Sequence, residues 1–176
     1  METTPSPTPR TPSAPPAAAR PPATMPMPNV NATATLRDAA GMSIGTATFR
    51  DTRAGVLISG TVTGLGLGAH GIHVHAVGKC EAPFTTAGGH FNPESKHHGY
   101  LSADGPHLGD LPNIETPASG PLKFEFVLAD VSLKGKNALL DADGASLVVH
   151  SGRDDFMTDP AGNSGSRMAC GVILAR

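Results

Sequence analysis

Residues 122–128 read Leu-Lys-Phe-Glu-Phe-Val-Leu, an alternation at period two that marks a strand with one face on a core and one in water. Other stretches of the same kind lie on both sides of it. Upstream are Val30 to Leu36, Ile44 to Phe49 and Val56 to Val62, the last two separated by a charged turn containing Gly55. Gly71-Ile-His-Val-His-Ala-Val77 is a fourth, and downstream come Leu147-Val-Val-His150 and Cys170-Gly-Val-Ile-Leu174. Helical periodicity is sustained nowhere. With 21 Gly and 17 Pro in 176 residues, the chain is heavily punctuated by turn formers. The expectation is an all-β domain, an antiparallel sandwich or barrel of many short strands. Two long segments, about 78–120 and about 151–168, fit no strand. Long structureless loops in a compact domain are usually functional.

Composition narrows the function. Hydrophobic residues are 39% and aromatics 4%, enough for one modest core in one domain. A net charge of −2 argues against general nucleic-acid binding, which usually needs a basic face. No stretch approaches eighteen consecutive apolar residues, so no membrane span is expected. Residues 1–28 stand apart. They hold ten of the seventeen prolines and no Leu, Ile, Val, Phe, Tyr or Trp. Such a segment buries too little apolar surface to offset its ordering entropy, so a disordered, partly polyproline-II arm is expected over 1–28, serving as a tether or as a plain tail. It lacks the apolar core of a signal peptide. The domain is expected over 29–176, where 11 basic and 14 acidic residues give a net charge of −3.

Eight histidines carry the argument onward. In His73-Val74-His75, side chains at i and i+2 share a face of the strand, so two imidazoles can converge on one metal while Val74 enters the core. Alone, that pair reads equally well as two surface histidines. The next loop supplies His90, then His97-His98-Gly99, then His107-Leu-Gly-Asp110. Three imidazoles and a carboxylate across some twenty loop residues match a tetrahedral zinc site, and a metal would order a loop with little apolar content of its own. His150 ends a buried-looking strand and is a further candidate ligand. Asp154, four residues on, is placed to accept the remaining imidazole N–H groups. Cys80 and Cys170 allow at most one intramolecular disulfide, or two free buried thiols; a bridge implies an oxidising compartment.

These pieces, in this order, resemble the copper–zinc superoxide dismutase family: Gly71-Ile-His-Val-His, Gly89-His-Phe-Asn-Pro, His98-Gly, His107-Leu-Gly-Asp, Val149-His and Gly165-Ser-Arg-Met-Ala-Cys-Gly-Val-Ile. The resemblance covers essentially all of 29–176. It implies an eight-stranded antiparallel Greek-key barrel with two long functional loops folded over an outer face. It implies dismutation of superoxide to oxygen and hydrogen peroxide by alternate reduction and reoxidation of a His-bound copper, with a structural zinc. Carried over by position, copper is held by His73, His75, His90 and His150, and zinc by His90, His98, His107 and Asp110, with His90 shared. The step of eight from His90 and the adjacent Gly99 favour His98 over His97. Asp154 links the two sites, Arg167 guides the anion over copper, and Cys80 pairs with Cys170. His70 and His97 are left as ordinary surface residues.

The sequence departs from the family's animal members. Its second long loop, Ser151 to Ser166, is short and contains Arg153 but no Lys. The lysine-rich steering loop is therefore missing, as in bacterial members, and with it any warrant for the animal dimer interface; monomer and bacterial-type dimer both remain open. An exported bacterial enzyme, of the periplasm or cell envelope and tethered to lipid or wall through its Pro-rich arm, is the expectation. The rivals are a copper or zinc carrier on the same barrel and a structural adhesion-type sandwich. The full set of ligands with Arg167 argues against the first, and the histidine clustering against the second.

Overall fold

A computed structural model of the chain describes Met1 and residues 31–176. The expected arm over 1–28, apart from Met1, and Val30 at the head of the first strand lie outside the described residues. The strands are β1 (Asn31–Asp38), β2 (Ser43–Thr52), β3 (Gly55–Val62), β4 (Gly68–His70), β5 (Ile72–His75), β6 (Ile114–Thr116), β7 (Leu122–Leu128), β8 (Ser146–His150), β9 (Arg167–Val172) and β10 (Leu174–Ala175). Helical structure among the described residues is limited to one 3-10 turn, Thr85–Ala87. Eight strands form one curled antiparallel sheet in the order β5-β8-β9-β1-β2-β3-β7, with β10 also on β1; β4 and β6 pair separately. Both strands of that small pair escape the alternation rule because each is three residues long, and β6 falls inside a segment expected to be loop throughout.

One face of the sheet encloses the core. Leu36, Phe49, Ile58, Ile72 and Leu147 are all fully buried there, each contributing roughly 1.5–3 kcal/mol relative to exposure. In β1 and β2 most inward positions are alanines, Ala32, Ala34 and Ala47, while their outward neighbours Thr35, Thr46 and Thr48 face water. The segment after β7 has no alternation, yet it buries Val131, Leu133 and Leu139 against the same core. It is pinned by the Leu133 N–H, which donates to the Asp51 carboxylate at 2.9 Å.

The opposite face of β5, β8 and β9 positions the site. Residues paired across antiparallel strands share a face. His73 pairs with Val148, and Val148 in turn with Cys170. That face therefore presents His73, His75, Val148, His150 and Cys170 on one side of three adjacent strands. Loops cover it completely, so every residue of β5 and β8 is buried although only one face meets the core. Over part of it lies the segment held by the Cys80–Cys170 disulfide, where Phe84, Ala87, Val148 and the bridge form a second small apolar cluster.

Candidate metal centre

The free edge of β5 recruits the first long loop by strand-like bonding. Val74 N–H donates to Gly109 O at 2.9 Å, and Phe91 N–H donates to Val74 O at 2.8 Å. This sets Asp110 opposite His73 and His90 opposite His75. Position 109 must be glycine, because a Cβ there would lie 2.3 Å from the Val74 carbonyl oxygen. His150 is brought in from the neighbouring strand, where its backbone N–H donates to Gly71 O at 2.8 Å. Phe91 and Leu111 bury their side chains beside the loop's histidines, so the loop has more apolar anchoring than its polar sequence suggests.

Seven side chains converge. His73, His75, His90 and His150 bring one nitrogen each to a common point, with all four atoms within 4.8 Å of one another; His90, His98, His107 and Asp110 do the same beside it. His98 joins the cluster and His97 does not. Each ring of the first group ties one nitrogen and leaves the other bare. His73 Nε2–H donates to Asp154 Oδ2 at 2.7 Å, His75 Nδ1–H to Gly88 O at 2.9 Å, and His150 Nδ1–H reaches Gly165 O at 3.4 Å. What remains is His73 Nδ1, His75 Nε2, His90 Nε2 and His150 Nε2, all buried and all without a partner. Four orphaned imidazole nitrogens aimed at one point are costly in an empty pocket and suited to a metal of the copper type.

The second group passes a different test. Four ligands around a tetrahedral zinc sit about 3.3 Å apart, given zinc–nitrogen and zinc–oxygen distances near 2.0–2.2 Å. Asp110 Oδ1 stands 2.8 Å from His90 Nδ1, 3.1 Å from His98 Nδ1 and 3.3 Å from His107 Nδ1; His107 Nδ1 is 3.3 Å from His90 Nδ1. Two nitrogens and a carboxylate oxygen at such mutual distances suit one shared cation. Both ring nitrogens of His90 are thus committed, Nδ1 to this group and Nε2 to the other.

The electrostatics separate the two groups. Burial, aided by the neighbouring imidazoles, pushes His75 down to about 2 and His150 to about 3. Burial also lowers His90, to about 4, against the pull of Asp110. These rings are held neutral, the state that ligates metal. His98 goes the other way: burial opposes its charge, but Asp110 and Asp154 outweigh burial and raise it to about 9. Burial likewise opposes ionisation of Asp110 and Asp154, yet the surrounding imidazole donors hold both carboxyls well below the usual range. Asp110 within the second group and Asp154 beside it, both buried carboxylates, therefore favour a cation there.

Asp154 ties the groups together, accepting from His73 through Oδ2 and from His98 through Oδ1 at 3.0 Å. Its own backbone is fixed by Asn113, whose amide donates to Asp154 O at 2.9 Å and accepts from Asp154 N–H at 2.8 Å. The sequence gives no sign of this, since Asn113 lies 41 residues away from its partner. Gly162 covers the bridge from above, and there a Cβ would fall 1.8 Å from Asp154 Oδ1. We expect Gly162→Ala to displace the Asp154 carboxylate and to weaken metal binding about tenfold, the low end for loss of an outer-shell partner. A metal-competition titration checks this; unchanged affinity would show that the bridge yields without cost.

One assignment needs correction, and a second residue gains a partner. His70 is not a surface residue but is 3% exposed, its Nδ1 2.9 Å from His150 O and its Nε2 2.9 Å from Gly66 O, so it holds the backbone of the β8 histidine. His97 is exposed, as expected, but its Nδ1 meets Asp159 from the second long loop. Arg167, across from His150 in the β8–β9 ladder, donates from Nη1 to Phe84 O and from Nη2 to Gly88 O, both at 2.6 Å. It lines a shallow depression with His90, Asn92, His107, Pro160 and Ala161. Burial lowers its pKa, but from so high a value that it stays charged.

Comparison with known proteins agrees with this geometry. Residues 43–173 match the family described as copper/zinc superoxide dismutase. The chain is 45% identical over 149 residues to a copper–zinc superoxide dismutase of Aquifex aeolicus (strain VF5), covering 82% of this chain and 87% of the relative. A copper–zinc superoxide dismutase of Caulobacter vibrioides is 43% identical over 148 residues, covering 81% and 85%. Among solved structures, a superoxide dismutase-like protein from Bacillus subtilis superposes with a TM-score of 0.77 at 36% identity, covering 81% of this chain and 97% of that one. The chain belongs to the copper/zinc superoxide dismutase family.

Proposed function

We propose that the protein converts two superoxide anions and two protons into dioxygen and hydrogen peroxide, with copper on His73, His75, His90 and His150 and zinc on His90, His98, His107 and Asp110. The observation that carries this is the set of four orphaned nitrogens beside a group of three imidazoles and one carboxylate, joined by His90. Bound copper supplies the one-electron chemistry by cycling between two oxidation states, while zinc, which has no redox chemistry, supplies order. His90 Nε2 is the position at which the protein can hold or release a proton, because Nδ1 is committed to the Asp110 group. The Asp110 and Asp154 carboxylates keep the rings of His90, His73 and His98 in fixed tautomers. Arg167 draws the anion to the depression beside His90, its remaining donors free for a small oxyanion.

The copper-carrier rival is disfavoured because ligands, zinc group and arginine are all present. Export to an oxidising compartment is supported by the Cys80–Cys170 bridge. The division into an arm over 1–28 and a domain over 29–176, with the arm as a tether, is part of the same reading. Elemental analysis and a fast superoxide-consumption assay on protein loaded with both metals test the whole. One copper and one zinc per chain with rapid consumption is expected; zinc alone at saturation would sink the copper assignment.

Arg167 gives a sharper test. The domain is net negative, so attraction of an anion must be local. Loss of a charge-assisted contact worth about 1.5–3 kcal/mol should make Arg167→Ala at least roughly tenfold slower per bound copper. Arg167→Lys should lose less, because the charge survives while the planar fork does not. Copper content should not change. If Lys and Ala are equally slow and equally destabilised, Arg167 serves only to pin the Phe84 and Gly88 carbonyls.

A further inference from the structure

We propose that Asp159 is a latch between the two long loops, a positioning residue that fixes the backbone of His98 and thereby governs how fast zinc leaves its site. The inference rests on the zinc assignment above. Asp159 Oδ1 accepts the backbone N–H of His98 at 2.6 Å, and Oδ2 meets His97 Nδ1. His98 is thus gripped from both sides by the second loop: its main chain by Asp159, and its ring, through Nε2, by Asp154. Neither bond involves Nδ1, the nitrogen turned toward Asp110.

The latch projects from a rigid turn. The Asp155 carboxylate accepts the backbone N–H groups of Met157 and Thr158, the Thr158 hydroxyl and the Asn163 amide. Gly162 N–H donates to Thr158 O at 2.6 Å, and Asp155 N–H to Gly162 O at 2.9 Å, closing a ring of backbone around residue 159. On the other side of the joint, Gly99 adopts φ +90° and could carry no side chain, since a Cβ would lie 2.0 Å from Phe156 O. The two loops therefore meet as fitted parts, and Asp159 is the carboxylate at the seam that holds the main chain of His98 rather than its ring. Pro160 and Ala161, which follow it, line the depression with His90, His107 and Arg167, so the latch also sets the rim of the entrance.

The two bonds differ in weight. The His97 and Asp159 side chains are 62% and 46% exposed, and an ion pair so open to water contributes little. The bond to the His98 main chain is partly buried, and an ionised acceptor makes it one of the stronger kinds. Removing the carboxylate should matter more than removing His97, and an amide, which can still accept from His98 N–H, should rescue most of the loss.

The experiment measures zinc release from the full chain loaded with both metals, after mixing with an excess of a chromogenic chelator. The visible absorption of copper and the unfolding midpoint of the metal-free protein are read alongside. Asp159→Ala should release zinc about tenfold faster, the size of one charge-assisted hydrogen bond at the lower end of its range. Asp159→Asn should stay within about threefold of wild type and His97→Gln within about twofold, as for loss of a weak surface pair. The metal-free midpoint should not move. Wild-type release from Asp159→Ala overturns the latch. Equal acceleration by Ala and Asn together with a lowered metal-free midpoint overturns it too, because Asp159 would then be a residue of the fold. A wild type that takes up no zinc overturns the zinc assignment itself.

Discussion

Reduction of the Cys80–Cys170 bridge is expected to lower the stability of the metal-free protein by about 4–5 kcal/mol, the chain-entropy cost of opening a loop of 90 residues. The change acts mainly on the unfolded ensemble, so the sheet should survive with its strands paired. Loosening should instead concentrate in residues 78–88, whose apolar anchor is the small cluster of Phe84 and Ala87 on Val148 and Cys170. Denaturant unfolding of the oxidised protein and of reduced, alkylated protein gives the difference directly. Free-thiol titration of unfolded, unreduced protein should find no thiol. A stability difference below about 1 kcal/mol would show that the bridge closes a loop already held by other contacts.

Asp154→Ala is expected to weaken zinc binding by about a hundredfold and to disturb the copper spectrum as well. Outer-shell partners of ligating histidines typically govern metal affinity by about 10–100-fold, and this carboxylate serves two of the proposed ligands at once. His73 and His98 are both fully buried, so each would be left with an N–H that reaches no acceptor. The unpaired donors also free both rings to turn. Asp154→Asn should fall between, since the amide oxygen satisfies one ring while its NH2 opposes the other. Zinc affinity by competition and copper geometry by electron paramagnetic resonance separate the two sites. If zinc affinity falls and the copper spectrum is untouched, Asp154 positions His98 alone.

Much of the fold was legible because alternation is a local signal. β7 coincides residue for residue with the stretch Leu122 to Leu128, and β3 and β8 agree within one residue at their starts. The seven convergent side chains were legible through a strong motif order, and His98 over His97 through its spacing from His90. The interactions that orient them were not. Asn113, Asp159 and His70 act on main-chain groups brought near by the paths of two loops, and no period or spacing records such an encounter. His70 was misplaced for a related reason. A polar residue at the end of a short strand reads as exposed unless the loop that buries it is known. The segment 129–140 gives no periodic signal because Val131, Leu133 and Leu139 enter the core from outside any strand.

The carbonyl oxygen of Gly88 accepts from His75 Nδ1 and from Arg167 Nη2. One atom thus joins the tautomer of a proposed copper ligand, the guanidinium proposed to guide the anion and, eight residues from Cys80, the segment the disulfide holds down. In the thiol form the strands are expected to stay paired while this junction slackens, so that the guanidinium and the imidazole lose their common rest. Reduction of the bridge is therefore expected to slow turnover as well as to lower stability, even in protein supplied with both metals, because the carbonyl it holds down is the shared support of ring and guanidinium.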